Sequence, residues 1–155
     1  MIGLSVRSAI PADIPTLREF EQGIVKAERP FDETLRPDPI TYHDIEKLVD
    51  SPDSELAVAE FEGRLIGCGF AVKKVSRHYT EPEYHALLGC MYVVEEFRGQ
   101  GVIQAVQQYL MDWAKNNGLL EIRLTVYPGN NPAVKAYEKA GFEAHILEMR
   151  KRLED

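Results

Sequence analysis

The stretch that most constrains this chain is Val93-Val94-Glu95-Glu96-Phe97-Arg98-Gly99-Gln100-Gly101-Val102. It closes an apolar run, Ala86 to Val94, and leads into a helical pattern from Ile103 to about Asn117. A strand therefore enters a glycine-punctuated turn and then a helix N-terminus. Such a corner turns unpaired backbone N–H groups, and the positive end of the helix dipole, toward an anion such as a phosphate. Gly99 and Gly101 permit positive φ and close approach of a ligand to the main chain, while Arg98 can add a charged, bidentate fork. An ordinary solvated strand–turn–helix corner can carry the same letters.

The elements around this corner follow from periodicity and breakers. Leu4 to Ala9 is strand-like and is closed by Pro11. Asp13 then fits a helix start, with Ile14, Leu17, Phe20 and Ile24 at helical spacing up to Pro30. Residues 31–40 read as an irregular, proline-containing loop. A second helix is expected from Tyr42 to Val49 with Thr41 as its cap. Glu55 to Glu60 and Arg64 to Val75 flank Phe61-Glu62-Gly63 and predict a β-hairpin. Lys73, Lys74, Arg77 and His78 form a basic cluster at its end, a solvated hairpin end or a contact to an anion. Gly89 interrupts the next strand, as at a bulge or a close approach. The following helix places Ile103, Val106, Leu110 and Trp113 or Ala114 on one face. Leu120 to Val126 is strand-like, Asn131 can cap a helix whose first residue is Pro132, and Ala144 to about Leu153 reads as a closing strand.

Two strands joined through a helix must be parallel, whereas the hairpin before them is antiparallel, so the sheet is mixed. Ligands bind such sheets at the carboxyl ends of the parallel strands, which is where the glycine turn lies.

Bulk properties narrow the partners. The 155 residues suffice for one domain burying roughly 70% of its unfolded surface. The net charge of −7 argues against a nucleic-acid partner, which needs a basic face, and suits a cationic one such as an amine. The two cysteines, Cys68 and Cys90, lie in apolar runs and read as buried thiols of a reducing compartment. No spacing suggests a metal site, and no run is long enough for a membrane span, so a cytoplasmic location is expected.

With this order in place, Val93 to Val102, together with Asn130, Ala133 and Tyr137-Glu138-Lys139-Ala140-Gly141-Phe142, resembles the GCN5-related N-acetyltransferase (GNAT) superfamily over essentially the whole chain. The resemblance implies an α/β (α+β) fold as a single domain over residues 1–155. Its sheet would be mixed and mostly antiparallel, with a parallel, splayed fourth and fifth strand pair, flanked by about four helices. It implies acetyl-CoA as cofactor, with the pyrophosphate on the backbone N–H groups of Arg98, Gly99, Gln100, Gly101, Val102 and Ile103. The pantetheine arm would pair with main-chain groups at Met91, Tyr92 and Val93, and Asn130 and Ala133 would complete the site. Tyr137 would face the thioester sulfur.

Three positions depart from the family pattern. Ile103 stands where Gly or Ala is usual, Glu95 replaces a proline, and Cys90 occupies the strand position that often carries the catalytic glutamate. A buried thiol is a poor base. The base must then be water or come from elsewhere: Glu81, Glu83 and His85 precede the strand closely enough to be considered, with His85 having the most suitable unperturbed pKa. Tyr137 as general acid is chemically reasonable, because a thiolate (near 8.5) and a tyrosine (near 10) differ little. Alternatively Tyr137 is a core aromatic of the last helix. The acceptor implied is a primary amine, of a small molecule or of a protein. Residues 28–35 and 78–84 would form its wall, where Glu28, Asp32, Glu33, Glu81 and Glu83 stand beside Phe31, Tyr79 and Tyr84. A competing reading, fed by Cys90, is an acyl-CoA-binding or sensing module that has lost catalysis. A homodimer is compatible with the sequence.

Overall fold

The computed structural model describes residues 1–154, which form two compact units, Met1–Thr125 and the chain from Val126 onward. In the first unit β1 (Ser5–Ser8), β2 (Ser54–Phe61), β3 (Arg64–Val75), β4 (Tyr84–Val93) and β5 (Ile122–Arg123) make one sheet in that order. β1 to β4 are antiparallel to their neighbours, and β5 is parallel to β4. Three helices belong to this unit: α1 (Ile14–Glu28), α2 (Ile45–Asp50) and α3 (Val102–Asn116). The β2–β3 hairpin turns through Glu62 and Gly63, both at positive φ (49° and 77°) as a two-residue turn of the primed type requires.

The sheet is covered on both faces. Leu17 and Phe20 of α1 and Ile45 of α2 pack with Leu56, Val58, Cys68, Phe70 and Cys90 of the sheet. Side chains alternate along a strand, so residues between these look the other way. On that side α3 buries Val102, Val106, Leu110 and Ala114 against β2 and β3. Val102, rather than the expected Ile103, is therefore the first inward position of α3. Counting back from Val106 by four instead of three gives the better helical stripe, and Ile103 lies half-buried at its flank.

Two irregularities of β4 position the site. Between the pairs Cys68↔Tyr92 and Phe70↔Gly89, one residue of β3 opposes two of β4, which is a β-bulge at Cys90-Met91. Cys90 sits at φ 54°, a left-handed conformation that costs about 1–3 kcal/mol for a non-glycine residue and collects at functional sites. On its other edge β4 meets β5 only at Ala86↔Ile122 and Leu87↔Arg123. From Leu88 to Val93 that edge has no partner strand among the described residues, so the pair opens just after it forms.

The second unit contains one helix, α4 (Asn131–Lys139). Asn130, not Asn131, is its N-cap, and Pro132 occupies the second helical position. The closing strand expected from Ala144 to about Leu153 is not formed; residues 142–154 carry no strand. A lone apolar segment becomes a strand only when a neighbour takes its backbone hydrogen bonds, and no strand exists within this unit to do so. The second helix also starts later than expected. Asp44, whose carboxylate accepts from the Lys47 N–H at 3.1 Å, replaces Thr41 as cap.

Candidate active site

The corner after β4 is built by backbone chemistry. Val94 opens a short 3-10 turn, Glu95–Phe97, and the chain then passes through Gly99 (φ 73°) and Gly101 (φ 85°) into α3. Both glycines adopt conformations that L side chains avoid, and a Cβ on either would meet nothing within 4 Å. They are required by the path of the chain, and the space beside them is open. Gly101 is the N-cap residue of α3, and no side chain caps the helix. The first N–H groups of α3 therefore face that space without an intrahelical partner, at the positive end of the dipole. Arg98 is exposed; its Nε donates to the Val93 carbonyl at 3.0 Å and its guanidinium lies 5.9 Å from the centroid of the Tyr92 ring. Gln100 braces the turn by donating to the Glu96 carbonyl at 2.9 Å. A diphosphate fits this cradle, since the donors and the room both exist.

Upstream of the corner, the bulge is fixed from β3. The Cys68 Sγ donates to the Cys90 carbonyl at 3.3 Å, and Cys90 beside it, burial and the charge of Glu21 hold the Cys68 thiol well above its ordinary range. Both cysteines are buried and free. The Tyr92 ring packs on Phe20 of α1 with centroids 5.0 Å apart.

His85 and Glu83 stand at the other end of β4. His85 is buried, with its Nδ1 hydrogen-bonded to the Ser76 hydroxyl at 2.9 Å. Burial, then the charge of Arg123, pushes its pKa down. Five residues separate it from Cys90, about 16 Å at 3.3 Å per strand residue. Glu83 is exposed on the β3–β4 connection, as is Glu81. Neither His85 nor Glu83 is brought to the glycine corner.

Within the second unit, Asn130 spends its side-chain oxygen on the Ala133 N–H at 3.4 Å. Tyr137 is half-buried on α4, edge-on to Phe142 with ring centroids 5.7 Å apart.

The acceptor-side segment gains more order than its sequence suggests. Gln22 donates to the Ile40 carbonyl (2.8 Å), the Glu21 carboxylate accepts the His43 N–H (2.9 Å), and Tyr42 hydrogen-bonds Glu28. Burial, opposed by Tyr42 and joined by the charge of Asp32, pushes the Glu28 pKa up. The segment is thus tied along α1. Neither Glu21 nor His43 was marked by sequence spacing, because their relation runs between α1 and a loop 22 residues further on.

A family model described as the acetyltransferase (GNAT) family matches residues 20–142. The chain belongs to this family. Acetyl-CoA is the donor that GNAT acetyltransferases use. N-alpha-acetyltransferase 30 of Schizosaccharomyces pombe is 36% identical over 85 residues, covering 55% of this chain and 55% of that protein. The chain spans about half the length of the curated relatives it matches. A putative acetyl transferase from Pyrococcus furiosus has the same fold, with 25% identity, a TM-score of 0.74 and coverage of 97% of this chain and 99% of that one. AAC(6')-Iy in complex with the bisubstrate analogue CoA-S-monomethyl-acetylneamine shares the fold at 22% identity, with a TM-score of 0.73 over 97% and 99% of the two chains. Among the described residues no helix is long and apolar enough to cross a membrane, and no three His, Cys, Asp or Glu side chains are grouped to hold a metal ion.

Proposed function

We propose that this chain is an N-acetyltransferase that moves the acetyl group of acetyl-CoA to a primary amine, in a small molecule or at a protein amino group, by direct attack on the thioester. The observation that carries this reading is the uncapped α3 N-terminus behind Gly99 and Gly101, at the end of a β4 edge left without a partner strand. Bound acetyl-CoA supplies an electrophilic thioester carbonyl and a thiol leaving group. The N–H groups of Gly99, Gln100, Gly101, Val102 and Ile103, with Arg98 beside them, would hold the pyrophosphate. The open main chain at Met91, Tyr92 and Val93 would pair with the pantetheine arm as a neighbouring strand would. Asn130 caps α4 through the Ala133 N–H, and both residues are assigned to the cofactor site on the family resemblance. Tyr137 would return a proton to the departing sulfur, at small cost given reference pKa values near 10 and 8.5.

The two units would act as one domain over residues 1–155, in the cytoplasm; the family match, running from 20 to 142 across their boundary, supports the first point. Glu83 and His85 carry no step in this proposal, because one is an exposed connection residue and the other is committed to Ser76. Cys90 at the position often held by glutamate favours a second reading, a CoA-binding module without turnover. The two separate by measuring thiol release from acetyl-CoA with an amine panel: peptides with free N-termini, a polyamine and an aminoglycoside. Release that depends on one of these amines is expected. Tight acetyl-CoA binding with no release across the panel would leave the binding module instead.

A further inference from the structure

The reaction needs a group to take the proton of an ammonium acceptor, and β4 offers only Cys90 where a carboxylate would serve. The opposite wall of the same region holds a different group. His43 precedes α2 and is half-buried, with its ring edge-on to Phe70 at 4.9 Å between centroids and 80° between planes. Phe70 pairs across the sheet with Gly89, the residue immediately before the bulge, and its ring lies within van der Waals reach of the Gly89 Cα. One aromatic ring therefore separates the imidazole from the strained turn of β4. His43 also lines an open cavity of about 380 Å³ shared with Arg18, Thr41, Tyr42, Asp44 and Glu46. Solvent and a small cation can reach it there.

The imidazole is also placed by design of its surroundings. Its backbone N–H is held by Glu21, a carboxylate only 1% exposed. Burial lowers the His43 pKa, and the charge of Glu21 opposes that shift, so the ring is neutral and able to accept a proton at neutral pH. The charged groups around it are Arg18 and Glu21 from α1 and Asp44 and Glu46 at α2. Arg18 and Glu46 pair with each other and Asp44 is exposed, which leaves Glu21 as the buried group acting on the ring.

We propose that His43 is the proton acceptor of the transfer reaction, held in place by Glu21; this rests on the acetyltransferase reading above. The ammonium form of the acceptor gives one proton, relayed by water, to a ring nitrogen of His43, which passes it through the cavity to solvent. The freed nitrogen lone pair forms the new C–N bond at the acetyl carbonyl carbon. The C–S bond breaks with its electron pair going to sulfur, Tyr137 protonates that sulfur, and the second N–H proton restores the Tyr137 hydroxyl.

The test couples a titration of the free protein to a rate profile. The chain has four histidines, and the imidazole signal missing from His43→Gln identifies His43 in proton NMR. In Glu21→Gln the His43 midpoint should move to lower pH, because the charge that favours the imidazolium is gone, while glutamine still accepts the His43 N–H. With acetyl-CoA and a peptide bearing a free N-terminus, the acidic limb of kcat/KM should follow that midpoint in the wild type and in Glu21→Gln. His43→Gln should lose the limb and at least tenfold in kcat, with acetyl-CoA affinity by calorimetry unchanged. Transfer by His43→Gln at the wild-type rate with the limb intact overturns the assignment, as does a His43 midpoint that ignores Glu21→Gln. Absence of acetyl-CoA binding by the wild type would remove the acetyltransferase reading itself, a result distinct from either.

Discussion

The two walls of the candidate site are made of different materials. In the proposed reading the β4–α3 corner would recognise through main-chain groups: N–H donors of Gly99 to Ile103, an open strand edge from Leu88 to Val93, and glycines that set φ. The α1–α2 wall would recognise through side chains, Glu21, Glu28, Tyr42 and His43, which are tied together by bonds between segments far apart in sequence. A backbone site depends on conformation and tolerates most side-chain changes. A side-chain site depends on particular atoms. The difference predicts that mutations on the first wall act on cofactor affinity and those on the second on turnover.

Substitutions can break or sharpen that division. The largest effect is expected from Gly101→Val. A β-branched residue at φ 85° costs about 1–2 kcal/mol of stability, and its side chain stands where the pyrophosphate would lie. Acetyl-CoA affinity measured by calorimetry should fall at least a hundredfold; a fall confined to kcat would dissolve the distinction between the walls. Next, Tyr137→Phe should lower kcat at least tenfold with the acetyl-CoA dissociation constant unchanged, and an unaltered rate would remove Tyr137 from the acid role. Gly89→Ala links the two walls. Its Cβ would come within 2.4 Å of the Phe70 Cζ, so the ring and the His43 that leans on it must shift, costing about 1–3 kcal/mol in denaturant unfolding. Wild-type stability and kcat together in this variant would mean the packing is loose and His43 is not placed by it. The smallest effect is at Asn130. Asn130→Ala should cost about 1 kcal/mol as a lost helix cap, whereas Asn130→Asp, which keeps the capping oxygen, should be near neutral. A large rise in the KM for acetyl-CoA in Asn130→Asp would show that the amide nitrogen also contacts cofactor.

Legibility in the sequence follows the same division. The corner could be read because Gly99 and Gly101 leave a local signal: an apolar run, two glycines, then a 3.6-residue period. The parallel pairing of β4 and β5 was equally legible, since a helix between two strands permits little else. Less of the second wall was. His43 and Glu21 meet only because α1 and residues 40–44 lie side by side, and nothing local marks either residue. For His85 the sequence offered only a reference pKa that suits a base, while its Ser76 contact and burial are properties of the fold. The bulge at Cys90 was hinted at by Gly89 but its strain falls on the cysteine, a residue with no turn propensity. The absent closing strand shows the limit of periodicity: apolar letters nominate a strand, and a partner makes one.

Whether the glycine corner is an acetyl-CoA cradle is read by thermal unfolding of the purified protein with acetyl-CoA, CoA or ATP. At about a hundred times its dissociation constant a ligand adds roughly 2.7 kcal/mol, which is about 5–10 °C for a chain of this size. A shift of that order is expected with acetyl-CoA and with CoA, lost in Gly101→Val, and none with ATP. An unshifted midpoint at millimolar acetyl-CoA would contradict the cradle assignment.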